Sequence, residues 1–282
     1  MSSHSHLEPY RGTYGEPRPK RLDGLALPPR PMPGRQGLRP LKAWRYIGAY
    51  GPDLMLCVGT ARLGPLRQTF WAVWDRRHHH LYERTVLGRG RVAMSGGNVR
   101  IREPDVQLKL DFIERAGTGV ETVCPTGALH GWTRKQVVDV RARIMLGGEP
   151  YRWLGRALVD DTAAYYERHT RWRWSAGIGT AVDGTSVAWN LVDGVNDPPH
   201  GSERTVWVDD VPGEVPPVEF AADLSRVGDL RFHAEAVRER RENLLLVRSD
   251  YRQPFGTFSG SLPGGVELAE GYGVMEAHDA WW

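Results

Sequence analysis

Ten consecutive residues, Tyr165-Tyr166-Glu167-Arg168-His169-Thr170-Arg171-Trp172-Arg173-Trp174, hold the densest set of side chains able to do chemistry. If Arg171 to Trp174 is extended, its side chains alternate, so both indoles point one way and both guanidinium groups the other. Two indoles side by side make an aromatic wall that excludes water and grips an apolar or planar ligand. Glu167 and His169 beside such a wall are candidates for proton transfer, because burial pushes a carboxyl pKa up and an imidazole pKa down. The π faces of Trp172 and Trp174 would also stabilise a cation formed on the way. Indoles at this spacing pack into solid cores more often than they line cavities, so core packing is the competing reading. A second cluster, Glu270-Gly271-Tyr272-Gly273-Val274-Met275-Glu276, brings two carboxylates toward one mouth, with His278 two residues further on the same strand face. Glu276 is the third candidate acid, and solvated charge near a chain end is its alternative. Tyr165, Asn190, Trp207, Tyr272 and His278 join Trp172 and Trp174 as candidate ligand-binding residues.

Other chemistries find little support. In the run His78-His79-His80 the first and third rings would share a strand face, but no Cys or carboxylate set accompanies them, and a solvated hairpin tip after Asp75-Arg76-Arg77 is the better reading. No metal is expected. Gly177-Ile178-Gly179 lacks the third glycine of a dinucleotide loop, no Gly-Lys-Ser/Thr phosphate loop occurs, and Ser259 has the wrong flanking glycines for a nucleophile elbow. No cofactor is expected either. The formal charge of +3 is concentrated at the start: residues 1–43 hold eight Lys or Arg against three Asp or Glu, leaving the remainder near neutral. A folded nucleic-acid-binding face is therefore not expected. The apolar run Leu54–Val58 is far too short to span a bilayer, and residues 1–10 lack the apolar core of a secretory signal. With two cysteines, Cys57 and Cys124, read as buried thiols, a cytoplasmic location is expected.

The elements that must position these residues read as strands. With 33 Gly and 20 Pro the chain is rich in turns. Val106, Leu108, Leu110 and Phe112 alternate with polar residues, as do Val138, Val140, Ala142 and Ile144. Shorter strands are predicted at Leu54–Val58, Phe70–Trp74, Val187–Leu191, Thr205–Val208, Leu230–Ala236 and Leu244–Val247. Arg156 to Arg168 reads instead as a short helix capped by Asp160. Residues 8–43, with eight prolines and five glycines, read as an extended arm more suited to solvent than to a core, so ordered structure is expected to begin at Lys42–Trp44. Gly147-Gly148-Glu149-Pro150 interrupts the pattern and suggests a division into an arm (1–43), a first β unit (44–148) and a second β unit (149–282) carrying the site.

Lys42-Ala43-Trp44-Arg45-Tyr46, Thr170 through Gly179, Asn190-Leu191-Val192-Asp193-Gly194 and Gly273 through Trp281 together resemble the bacterial domain-of-unknown-function family numbered 2804. That family is distantly similar in fold to a two-barrel lipocalin-like group containing carotenoid 1,2-hydratases and cofactor-free cyclases. The resemblance implies a mostly β fold of two consecutive lipocalin-like antiparallel barrels or sandwiches, with at most one or two short helices. It further implies an apolar small-molecule ligand, such as a lipid, isoprenoid or polyene, and a carboxylic acid that protonates an alkene. The hydratase's His-rich catalytic pattern is absent, Arg168-His169-Thr170 being at most a loose analogue. Binding without catalysis, and a structural module presenting its arm to a protein or anionic surface, remain the alternatives.

Overall fold

The computed structural model describes residues 7–244 and 247–282, and their period-two patterning gives 21 strands and one 3-10 turn, Lys20–Leu22. The first sheet contains β1 (Tyr10–Thr13), β4 (Lys42–Tyr50), β5 (Leu54–Leu63), β6 (Leu66–Asp75), β7 (His80–Leu87), β8 (Val92–Ser95), β9 (Asn98–Arg102), β10 (Val106–Phe112), β11 (Val120–Thr126), β12 (Leu129–Leu146) and β13 (Glu149–Ala164). A small separate hairpin is made by β2 (Arg35–Gln36) and β3 (Arg39–Pro40). The second sheet contains β14 (His169–Ala181), β15 (Ser186–Asp193), β16 (Thr205–Val208), β17 (Val211–Glu214), β18 (Arg226–Val227), β19 (Leu230–Leu244), β20 (Val247–Ser261) and β21 (Glu267–Trp281). All pairings are antiparallel. The order is β7-β6-β5-β4-β13-β12-β10-β9-β8 in the first sheet, with β11 and β1 added beside the first half of β12, and β17-β16-β15-β14-β21-β20-β19-β18 in the second. The mostly β architecture of two consecutive antiparallel units expected from the sequence is the one the chain adopts, the first sheet curling into a half-barrel. Among the described residues no helix is long and apolar enough to cross a membrane.

Where a strand has one wet face, alternation is clean: in β10 and the later part of β12, buried residues alternate with exposed or half-buried ones. Residues 46–50 of β4, 54–59 of β5 and 71–74 of β6 are covered on both faces and read as nearly continuous apolar runs. Ile47, Leu56, Val58, Trp71 and Val73 point into the core of the first unit. Their neighbours Tyr46, Met55, Cys57, Ala72 and Trp74 point the other way, against Trp174, Ile178, Phe255 and Val274 of the second sheet. β4 therefore packs against β14 and β21, and that contact positions the site.

Three expectations are corrected. The segment predicted as a helix is the end of β13 followed by a turn: Ala157, Leu158 and Val159 are all fully buried, so double coverage removes the alternation and leaves an apparent three-to-four spacing. The arm does not dangle. Leu22, Leu27, Met32 and Leu41 are buried against Val123, Trp132 and Tyr165, β1 pairs with β11, and Arg18 grips the fully buried Glu121 carboxylate at 2.9 and 2.7 Å. Gly147-Gly148 is the turn of the β12–β13 hairpin within the first sheet, and the change of sheet comes at residues 165–168. The predicted strands elsewhere fall within β5, β6, β15, β16 and β19; within Leu244–Val247, residues 245 and 246 lie outside the described residues. His78 and His79 occupy the β6–β7 hairpin turn.

Candidate functional site

β14 and β21 pair in a register that places Trp172 opposite His278 and Trp174 opposite Glu276, so all four side chains share one face. Trp44 and Tyr46, two residues apart on β4, present the opposing face. Between them lies a cavity of about 200 Å³. The Trp44 and Trp172 rings are nearly parallel, with centroids 6.0 Å apart and planes 8° apart, and Tyr46 meets Trp174 edge-on at 5.3 Å. His278 packs against Trp172 at 4.3 Å, and Trp282 closes the same end.

Glu276 is the polar centre of this wall. Its Oε1 accepts from Trp172 Nε1 (2.8 Å), and its Oε2 accepts from Tyr251 Oη (3.0 Å) and Gln253 Nε2 (2.9 Å). Burial raises its pKa above the ordinary carboxyl value, outweighing the donors that favour the anion. Burial drives the His278 imidazole down to about 3, so it is neutral in the working pH range, with Nε2 2.7 Å from Ser249 Oγ. A second polar group borders the cavity: Lys135 Nζ lies 2.6 Å from Asp160 and 3.2 Å from Glu203. Burial raises the Glu203 pKa against the attraction of Lys135. Burial works against the Lys135 charge, but the two carboxylates outweigh it and hold its pKa above the usual value. Arg238 lies over the Phe70 and Tyr251 rings at 4.6 and 5.1 Å.

Of the residues singled out in the sequence, Trp172, Trp174, Glu276 and His278 come together on the cavity. Glu167 and His169 do not. Glu167 sits in the turn between the sheets, largely exposed and paired with Arg39 at 3.2 Å. His169 belongs with Arg171 and Arg173 on the outer face of β14, bonded to Asp279 at 2.9 Å and stacked on Trp281. Period two separates it from the indoles, and both residues are withdrawn as acid–base candidates. Tyr165 is buried beneath the arm, its hydroxyl donating to the Pro33 carbonyl. Asn190 lies behind the wall, accepting from Trp174 Nε1 (2.8 Å) and donating to the Glu203 carbonyl (2.9 Å). Trp207 is fully buried in the inter-sheet core. Tyr272 lies outside the cavity, with Arg76 over its ring. The cavity is thus shared by both sheets and does not lie inside the second unit alone. Sequence reasoning missed Trp44, Tyr46, Lys135, Asp160 and Tyr251; the Trp-x-Tyr spacing in β4 was the visible signal. Among the described residues, no three His, Cys, Asp or Glu side chains gather as a metal site.

The sequence profile of the family described as "Domain of unknown function (DUF2804)" matches residues 128–282. The chain belongs to this family. The match begins at β12, so Lys42–Tyr46 lies outside it. No curated protein matches this chain. Among solved structures, a kievitone hydratase from Nectria haematococca superposes with a TM-score of 0.50 at 8% identity, covering 84% of this chain and 88% of that one. A protein assigned as AttH from Nitrosomonas europaea gives 0.44 at 14% identity, covering 84% and 92%. CghA, solved with Sch210972, gives 0.40 at 10% identity, covering 86% and 88%. At 8% identity the hydratase likeness speaks to fold alone.

Proposed function

We propose that this DUF2804 member takes an apolar, flat small molecule, of lipid, isoprenoid or polyene type, into the cavity between its sheets. Glu276 is the group that would deliver a proton to it in cofactor-free hydratase- or cyclase-type chemistry. The observation that carries this reading is a buried carboxyl with a raised pKa, set among neutral donors on an aromatic cavity wall. A carboxyl whose pKa burial raises is suited to act as a general acid, and the flanking indole faces suit a developing carbocation. Glu203 is less suited, because Lys135 draws it toward the anion. The fold shared with a kievitone hydratase fits this chemistry without assigning any residue.

The test is mass spectrometry of apolar material copurified with the protein, followed by incubation of that compound in D2O. Wild type is expected to incorporate deuterium at carbon, and Glu276→Gln to bind the compound without incorporating it. Binding with no exchange by wild type would establish the second reading, a non-catalytic carrier. That reading is favoured by the three hydrogen bonds that already occupy the Glu276 oxygens.

A further inference from the structure

Lys42, Trp44 and Tyr46 alternate on one face of β4, so a single strand carries a cation followed by two aromatic rings along the cavity. Lys42 is only 2% exposed, yet it has no carboxylate partner among the described residues. Its ammonium donates to the Tyr166 carbonyl at 2.5 Å and lies 5.5 Å from the centre of the Trp282 ring. An ammonium has three donors, and a carbonyl occupies one. The ionised group that bears on it is Arg39, of the same sign, and burial lowers the amine to about 8. Isolated buried charge is costly, and buried cations are ordinarily paired. The other cations on the cavity that are buried or half-buried conform: Lys135 has Asp160 and Glu203, Arg240 has Glu242, and Arg238 has Glu83 at 3.4 Å, while Arg62 and Arg67, which have no such partner among the described residues, are exposed to solvent. Leu63, the cross-strand partner of Lys42, Leu66 and Leu87 also line the cavity, the latter two more than half exposed, together with the exposed Arg62 and Arg67.

We propose that Lys42 is the anchor for the anionic head, a carboxylate or phosphate monoester, of an amphipathic ligand whose apolar body runs along Trp44 and Trp172 toward Glu276. This rests on the cavity reading given above and narrows its ligand class from neutral apolar molecules to apolar acids. The strand also supplies a ruler. Tyr46 meets Trp174, the cross-strand partner of Glu276, and Trp44 faces Trp172, which donates to the Glu276 carboxyl, so the head and the proton donor are separated by two to four residues of β4, about 7–13 Å at a strand's rise per residue.

Binding to the full chain is measured by fluorescence with cis-parinaric acid and its methyl ester, and by displacement of the ester with farnesyl monophosphate against farnesol. At least one of the two anions is expected to bind about tenfold or more tighter than its neutral counterpart, the size of one charge-assisted contact; which one identifies the head. Lys42→Met is expected to erase that preference while leaving ester binding unchanged, and Lys42→Arg to retain most of it. Ester affinity doubles as the control for folding; should K42M not fold, Lys42→Gln takes its place with the same expected loss of preference. Equal binding of anions and neutral forms by wild type would overturn the Lys42 assignment and leave the cavity standing. So would a preference that survives K42M. Failure of all four compounds to bind would overturn both.

Discussion

Lys135→Met tests whether the charges beside the cavity act as one unit. Lys135, Asp160 and Glu203 are 1%, 6% and 2% exposed, and the ammonium lies 2.6 and 3.2 Å from the two carboxylates. Methionine keeps the stem and removes the charge, so the variant strands two carboxylates in a space from which water is nearly excluded. Breaking a buried pair in this way costs about 3–5 kcal/mol, against a total stability on the order of 5–15 kcal/mol for a typical domain. The loss must depend on pH. Glu203 already has a raised pKa from burial, and Lys135 is the strongest influence holding it down; removing it raises the folded value further. A group whose folded pKa is raised contributes stability that is complete below its unfolded pKa and is lost as pH rises through the folded one. The deficit of K135M relative to wild type is therefore expected to be larger at pH 8 than at pH 5, measured by urea unfolding at both. Adding Glu203→Gln is expected to recover part of it, because one stranded charge is gone. A loss below about 1 kcal/mol, the range of surface pairs, or a loss identical at the two pH values, would refute the reasoning.

Further consequences can be measured separately. His278, driven down to about 3 by burial, is expected to show no protonation shift between pH 5 and 8 by NMR; a midpoint near 6.5 would mean that its pocket is wet. Cys57 and Cys124 are free and buried, their thiols pushed up to about 11 and about 12, so native protein is expected to react with a disulfide reagent only at its unfolding rate. Arg18→Met leaves the fully buried Glu121 with Trp132 as its remaining side-chain donor and is expected to cost about 2 kcal/mol by thermal unfolding; no loss would mean that the arm is only loosely held. Gly273→Ala would place a Cβ 2.1 Å from the Ala176 carbonyl oxygen across the β14–β21 pair. Because backbone meets backbone there, a loss of at least about 2 kcal/mol is expected in the same assay.

What could be seen in the sequence follows from which forces are local. Period two in Val106–Phe112 is set by one wet face, and it gave the strands directly. The same rule placed Trp172 and Trp174 together and, followed one step further, already set His169 with the arginines; nearness along the chain was mistaken for nearness on a face. Leu158, Ala163 and Tyr166 imitated a helix because β13 is buried on both sides and its alternation vanishes. The arm was misread for a related reason: Leu22, Leu27, Met32 and Leu41 show no period, and only β11 and β12, some hundred residues further on, reveal what each covers. The opposing wall of the cavity belongs to β4, more than a hundred residues from β14. No local pattern encodes that contact.

The walls so assembled are held in place from behind. Trp174 is fixed to Asn190, whose amide is fixed in turn to the Glu203 backbone; Trp172 is fixed to Glu276, and the Tyr46 and Tyr50 hydroxyls share a hydrogen bond at 2.9 Å. For any of these rings to swing inward and fill the space, a buried hydrogen bond would have to be given up, at about 1–3 kcal/mol for each group left unpaired. Closing the cavity requires several such losses together, and only dispersion contacts between rings are gained. The positions of Trp172, Trp174 and Tyr46 are therefore set before a ligand arrives, and a flat molecule laid against them meets rings whose rotamer freedom has already been spent in folding.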